Sequence, residues 1–219
     1  LDLLQTFNRE FGKTIVMDIS RKKHPAQFLI HLGMTGRLLV STPETPVPPH
    51  THAILTLSSG RELRFVDARR FGRLSVAAPD AAYAGPGSEP LTISLDEFVG
   101  LFRGRKTPIK AALLNQSLLH GVGNSHADEA RFRAGIRPRR QAARVTRAEL
   151  TRLRTALIEV LKHAIKLGGS SVSDYVDADG VRGFFQLQHK VYQRTGQPCL
   201  VCKTPIQKIT IGGRSTHFC

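Results

Sequence analysis

Two periodicities divide this chain. From residue 14 to residue 78, short runs of aliphatic and β-branched residues alternate with polar neighbours and are punctuated by turn formers. They predict strands over residues 14–19, 27–32, 37–41, 53–58 and 62–66, with Ser58-Ser59-Gly60 as a turn. The segment from Thr42 to Pro49 holds four prolines and reads as a loop. A loose stretch from Pro79 to Pro90 follows, and the spacing of apolar residues then becomes helical. Ser94 and Glu97 form a capping box for a helix that Gly104 is placed to end. Thr107-Pro108 reads as an N-cap followed by proline at the first helical position, with the helix running to Leu119. Asn124 is the expected cap of a third helix through Ala134, stopped by Gly135 and Pro138. Thr146 and Glu149 make a second capping box, and Leu150, Leu153, Leu157, Leu161, Ala164 and Leu167 form an apolar core stripe that Gly168-Gly169 ends. A polar segment to Gly183 precedes a hairpin over residues 206–219 with Gly212-Gly213-Arg214 at its tip. The pattern predicts an α+β, two-lobed protein: a β-sandwich or barrel over residues 1–90, a helical lobe over 91–183 and a finger hairpin over 184–219.

Composition narrows the class. The 219 residues carry 32 Lys+Arg against 17 Asp+Glu, a formal charge of +15, with 41% hydrophobic residues. So much apolar content excludes a disordered basic tail and describes a folded protein that binds a polyanion. An excess of arginine over lysine suits bidentate contacts to phosphates and base edges. At this level a basic ribosomal protein stays open. No apolar run approaches the ~20 residues of a membrane-spanning helix, and no signal peptide opens the chain, so a reducing, cytoplasmic location is expected. The chain starts at Leu1 without methionine and reads as the interior of a larger protein.

The three cysteines lie in one short window: Cys199 and Cys202 form a C-x2-C knuckle and Cys219 follows in the hairpin. That spacing is three quarters of a tetrahedral zinc site, with one Zn2+ expected per chain. Strand alternation would turn His217 the same way as Cys219, which makes it a candidate fourth ligand.

The turn His120-Gly121-Val122-Gly123-Asn124 brings two glycines and a helix N-terminus together, a phosphate-binding arrangement with Lys110 on the preceding helix as a second contact. Together with Ala127-Asp128-Glu129-Ala130, Gly12-Lys13, His31-Leu32-Gly33-Met34-Thr35-Gly36, Asp67-Ala68-Arg69-Arg70-Phe71-Gly72 and the cysteine finger with Gly213-Arg214-Ser215-Thr216-His217, the chain resembles the formamidopyrimidine-DNA glycosylase family of bacterial base-excision repair enzymes. The motifs span nearly the whole chain in order. The resemblance implies a β-sandwich lobe, a helix-two-turn-helix lobe and a zinc finger, with duplex DNA between the lobes. It implies a monomer that excises oxidised purines such as 8-oxoguanine and formamidopyrimidines and nicks the strand.

By the same resemblance Lys13 and Arg214 take part in the elimination chemistry, while Met34, Arg69 and Phe71 fill the stack vacated by the extruded nucleotide. On apolar character alone Met34 and Phe71 read as core. His50 and Arg105 match DNA-contact positions, and residues 170–183 match the loop that closes over oxidised guanine, which favours this lineage over the endonuclease VIII branch. Ser125, His126 and Asn115 depart from the family's usual isoleucine, tyrosine and aspartate. The family also has a fourth cysteine three residues beyond the position of Cys219, and a nucleophilic N-terminal proline on a leader that precedes the first strands. This chain by itself is therefore expected to be inactive, and a non-catalytic module that senses damaged DNA is the competing reading.

Overall fold

The computed structural model describes residues 8–11, 13–21, 24–78, 87–169, 179–180 and 183–219. They form two compact units, Leu1–Gly85 with Gly168–Phe184, and Pro86–Leu167 with Phe185–Cys219. No helix among the described residues is long and apolar enough to cross a membrane.

The first unit contains two antiparallel sheets. One has the order β1-β2-β3-β7, built from β1 (Asn8–Phe11), β2 (Thr14–Arg21), β3 (His24–His31) and β7 (Arg73–Ala77). The other has the order β4-β6-β5, from β4 (Arg37–Ser41), β5 (Thr51–Thr56) and β6 (Glu62–Val66). Strand β5 alternates between half-buried and exposed residues, as a strand with one wet face should. It lies two residues before the expected position, and it ends at Thr56 because Gly60 N–H donates to the Leu57 carbonyl and the turn takes residues 57–60 out of the ladder. Val16 and Ile30 of the first sheet and Leu63, Phe65 and Val66 of the second are buried. Central strand β6 is covered on both faces. Its Arg64 is fully buried and donates to Glu62 and to the Thr42 and Pro46 carbonyls, so that one guanidinium pins the proline loop to the sheet. Such a charge is tolerable only because its donors are used. Strands β1 and β7 go beyond those that alternation predicts. At the far end of this unit a Cβ on Gly183 would lie 2.3 Å from the carbonyl oxygens of both Gly168 and Gly169, so glycine there lets the two chain segments meet. The loop expected over residues 170–183 lies almost entirely outside the described residues.

The second unit is helical: α1 (Leu95–Phe102), α2 (Ile109–Leu113), α3 (Asn124–Ala134) and α4 (Arg147–Lys166). Ser94 caps α1 by accepting from Glu97 N–H, while the Glu97 carboxylate accepts from Ser88 instead of closing the box. The Thr146–Glu149 box at α4 is complete. Two expected caps are corrected. Pro108 itself holds the cap position of α2, which ends at Leu113 rather than Leu119 because the Asn115 side chain accepts from Ser117 N–H and turns the chain. Gly123, not Asn124, is the N-cap of α3, and Gly135 closes that helix in the left-handed region at φ 69°. The core gathers Phe98, Phe102, Leu113, Val122, Leu153 and Leu157.

Helix α3 is unusual in its composition. Ala127, Ala130 and Ala134 are buried, but so are Asp128, Glu129 and Arg131. Their charges are answered by neighbours on three sides, which explains why the finger belongs to the helical unit rather than standing apart. Glu129 accepts from the backbone N–H groups of Lys190, Val191 and Tyr192 at 2.9–3.0 Å. The finger hairpin itself pairs β8 (Gln207–Ile211) with β9 (Arg214–Phe218) across Gly212 and Gly213, both at positive φ as a tight hairpin turn requires.

Candidate nucleic-acid interface and metal centre

In the first unit two loops are locked together by Asp67. Its Oδ1 accepts from the Thr35 hydroxyl and from Arg69 N–H at 3.3 Å, and its Oδ2 accepts from Gly72 N–H at 2.7 Å. Burial pushes this carboxyl up, but hydrogen bonds from Thr35 and from the backbone of Gly72, Arg69 and Phe71 outweigh it and hold the group below the usual carboxylate range. Gly33 must be glycine: it sits at φ +66°, and a Cβ would stand 2.8 Å from the Phe71 carbonyl carbon. The consequence is that Met34 and Phe71 lie on adjoining loops, 54% and 50% exposed, with the Arg69 guanidinium 4.9 Å from the centre of the Phe71 ring. Their apolar character suggested a core; they are instead an exposed trio on a rigid base. His50 joins the same rim through its backbone, since its carbonyl accepts from Asp67 N–H at 3.0 Å, and His52 Nε2 lies 2.8 Å from the Asp67 carbonyl. Lys13 is exposed in the turn before Thr14, which lines a groove of about 390 Å³ with Leu29, His31, Phe71, Arg73 and Ser75. Asp67 stands inside a sequence motif that assigns it no role; a carboxylate between two exposed loops was the signal that could have marked it.

In the second unit the glycine turn is held from behind. Gln116 accepts from Gly121 N–H and donates to the Val122 carbonyl, both at 3.1 Å, and Val122 is fully buried. Asn124 is half-buried, with its side chain turned toward the finger. Its amide donates to the Ser215 carbonyl at 2.9 Å, tying the first turn of α3 to the finger.

Lys110 is also corrected: it is fully buried and paired with Asp128, so its ammonium has no path to a phosphate. Burial pushes it down to about 8, although Asp128 pulls the other way. Asp128 serves three partners at once, with Oδ1 accepting from Lys110 and from Arg131 at 2.7 Å and Oδ2 accepting from His217 N–H at 2.9 Å. Arg214 is exposed at the start of β9, and Arg105 is exposed with its Nε donating to the Leu101 carbonyl at 2.6 Å.

Cys199, Cys202 and Cys219 bring their sulfur atoms within 4.8 Å of one another, a spacing that fits a tetrahedral thiolate site. The knuckle is shaped by Val201 N–H pointing at Cys199 Sγ (3.4 Å) and by Lys203 N–H donating to the Cys199 carbonyl (3.0 Å). Hydrogen bonds from the Thr204 side chain and then from Cys219 lower the Cys202 thiol to about 6, and the same contact with Cys202 pushes Cys219 up to about 12. A divalent cation would take all three as thiolates. His217 does not join them. The strand ends at Phe218, so the alternation does not carry through to Cys219, and the imidazole is buried beside Asp128 with Nδ1 3.4 Å from Oδ2. Among the described residues no fourth His, Cys, Asp or Glu completes the cluster.

Three family models match in succession: the formamidopyrimidine-DNA glycosylase N-terminal domain over residues 5–74, its H2TH domain over 85–176, and the zinc finger found in FPG and IleRS over 196–219. The cysteine cluster is thus the structural zinc site of such a finger. A formamidopyrimidine-DNA glycosylase of Solibacter usitatus is 48% identical over 212 residues, covering 96% of this chain and 78% of that protein. One of Gloeobacter violaceus is 44% identical over 217 residues, covering 95% and 75%. Among solved structures, the MutM (FPG) protein of Thermus thermophilus has 40% identity and a TM-score of 0.87, covering 99% of this chain and 81% of its own. The Lactococcus lactis Fpg in complex with abasic-site DNA has 30% identity and a TM-score of 0.88, covering 97% and 79%. With its sheets, its helical turn and its cysteine finger all matched in order, the chain belongs to the formamidopyrimidine-DNA glycosylase family.

Proposed function

We propose that this protein is a base-excision repair DNA glycosylase and abasic-site lyase that acts on oxidised purines, 8-oxoguanine and formamidopyrimidines, in duplex DNA. The observation that carries the proposal is the exposed trio Met34, Arg69 and Phe71 on its Asp67-braced base. A thioether and a phenyl ring held in water are costly unless a partner covers them. An unstacked base step is such a partner, and the guanidinium has donors for the base left without its mate.

The reaction has the following course. The damaged nucleotide is extruded at a cost of a few kcal/mol, offset by wedge and phosphate contacts. A secondary amine attacks C1′ and the bond to the base breaks; the Schiff base then drives loss of the 3′ and 5′ phosphates by β and δ elimination. Each of the 12 prolines between Leu1 and Cys219 is locked in a tertiary amide, so none of them supplies that amine. We assign Lys13 to the lesion's phosphate and to proton transfer during elimination, and Arg214 to the phosphates around the extruded nucleotide. His50 and Arg105 take flanking phosphates. Asn124 acts by fixing the finger rather than by binding DNA with its side chain. We assign the protein to the bacterial chromosome, where its substrate lies, and take it to act as a monomer.

The test is binding to a duplex bearing a stable abasic analogue, compared with the intact duplex. The Met34→Ala/Arg69→Ala/Phe71→Ala variant should lose at least tenfold of that preference while non-specific affinity stays within about twofold, because wedge contacts form only after extrusion. Undiminished preference in the variant would refute the reading.

A further inference from the structure

A cationic surface on the helical unit extends well beyond Arg105, the one member of it assigned a contact so far. It is made by two chain segments, residues 103–108 before α2 and residues 137–147, which run into the first residue of α4. These are stitched together by backbone hydrogen bonds: Ala143 N–H to the Arg105 carbonyl at 2.9 Å, Ala142 N–H to Thr107 at 3.0 Å and Ile109 N–H to Arg140 at 2.8 Å. The two segments hold eight Lys and Arg residues and not one Asp or Glu. Two of the eight have acidic partners on the neighbouring helices, Arg140 with Glu149 and Arg147 with Asp96. The other six, Arg103, Arg105, Lys106, Arg137, Arg139 and Arg144, are exposed and carry no ion pair among the described residues.

Like charges gathered on tied loops repel one another, and solvent alone gives no reason to collect six of them without an anion. The backbone bonds hold Arg144 beside the segment that carries Arg105, well inside the roughly 10 Å over which charges act at moderate salt. A ladder of phosphates is the anion whose spacing and charge match several guanidinium groups at once.

We infer that Arg139 and Arg144, continuing the surface begun by Arg105 and Lys106, bind the phosphate backbone of the duplex flanking the lesion. This inference rests on the DNA-repair reading above and extends its footprint along the helix. The contacts are to phosphates, so they add affinity and set register without distinguishing damaged from intact DNA.

The experiment compares the intact chain with Arg139→Ala/Arg144→Ala on a long and a short duplex carrying the same abasic analogue, over a salt series. Arg147→Ala serves as the control, since that guanidinium is held by Asp96. On the long duplex the double variant should show a salt slope shallower by about 0.9 for each phosphate that is no longer neutralised, with lesion preference unchanged. On the short duplex, trimmed to the base pairs around the lesion, it should match the intact chain. A slope equal to that of the intact chain on the long duplex overturns the inference, as does an equal loss on the short one, which would put these arginines at lesion-proximal phosphates. Arg139→Glu/Arg144→Glu provides a second variant whose effect should be larger in the same direction. If the intact chain itself shows no lesion preference, the repair reading fails, while the flanking surface is still judged by the slopes alone.

Discussion

Asp67 is fully buried, and both of its carboxylate oxygens accept hydrogen bonds from loops that lie more than thirty residues apart in sequence. Removing one partner from such a network leaves buried donors without acceptors, which costs about 1–3 kcal/mol. Asp67→Asn keeps the shape but places an amide donor against either the Thr35 hydroxyl or Gly72 N–H. The expected result is a loss of stability in that range in a denaturant melt, together with loss of abasic-site preference, because Met34 and Phe71 no longer share a fixed base. A variant that melts earlier but keeps the full preference would restrict Asp67 to a stabilising role. The same scale shows why exposure is not legible in the sequence at Met34 and Phe71. Side-chain chemistry alone assigns both to a core; what puts them outside is the left-handed Gly33 and the short reach of a carboxylate, neither of which is visible in hydropathy.

Among the elements, strands β4 and β6 and helix α4 were legible because alternation, turn residues and the Thr146–Glu149 box agree with one another there. The C-terminal end of α2 and the N-cap of α3 were not, although Gly135 was correctly read as the stop of α3. Asn115 lay inside the helix expected to reach Leu119 and Asn124 was the expected cap of the next, but their side chains answer local or distant backbone groups, Ser117 in one case and Ser215 in the other. Helix α3 is the harder case, since it is polar in sequence and buried in structure. Lys110 looked like a phosphate ligand because a lysine on a helix is normally wet, and only the acceptor on Asp128 reveals otherwise. Close to that helix, His189 is 7% exposed, and its Nε2 has no hydrogen-bond partner among the described residues. Its ring packs edge-on against Phe185 and Tyr192. Burial lowers its pKa below the ordinary 6.5, with Glu129 pulling upward and His217 downward. The unfolded chain therefore binds a proton here more readily than the folded one. The contribution of this residue to stability is complete above about pH 6.5 and is lost as the pH falls through the lower folded value. Melts at pH 7.5 and 5.5 should show a smaller acid shift for His189→Phe than for the parent, since an apolar ring fills the same aromatic stack without titrating. Equal shifts in the two proteins would show that other groups carry the acid sensitivity.

At the scale of the whole molecule the finger is held in two independent ways. Its own apolar core is small, with Val191, Cys199 and Ile206 packed against Phe132, so the knuckle depends on metal for its shape. The hairpin that carries Arg214 depends on α3 instead, through His217 N–H on Asp128 and Asn124 on Ser215. These supports lead to different outcomes on metal removal. Protein purified under reducing conditions should contain one zinc per chain by elemental analysis. A strong chelator should then raise amide exchange across residues 199–204 and weaken DNA binding, while the main melting transition of the helical core, which is built from α1 to α4, stays within a few degrees. Strand β9 should keep most of its protection after chelation and lose it only when Asp128→Asn is added, because the variant weakens the remaining anchor. Loss of β9 protection on chelation alone would show that zinc, not α3, positions Arg214. Protein that contains no zinc and whose knuckle exchange is unaffected by chelator would rule out the metal's structural role altogether.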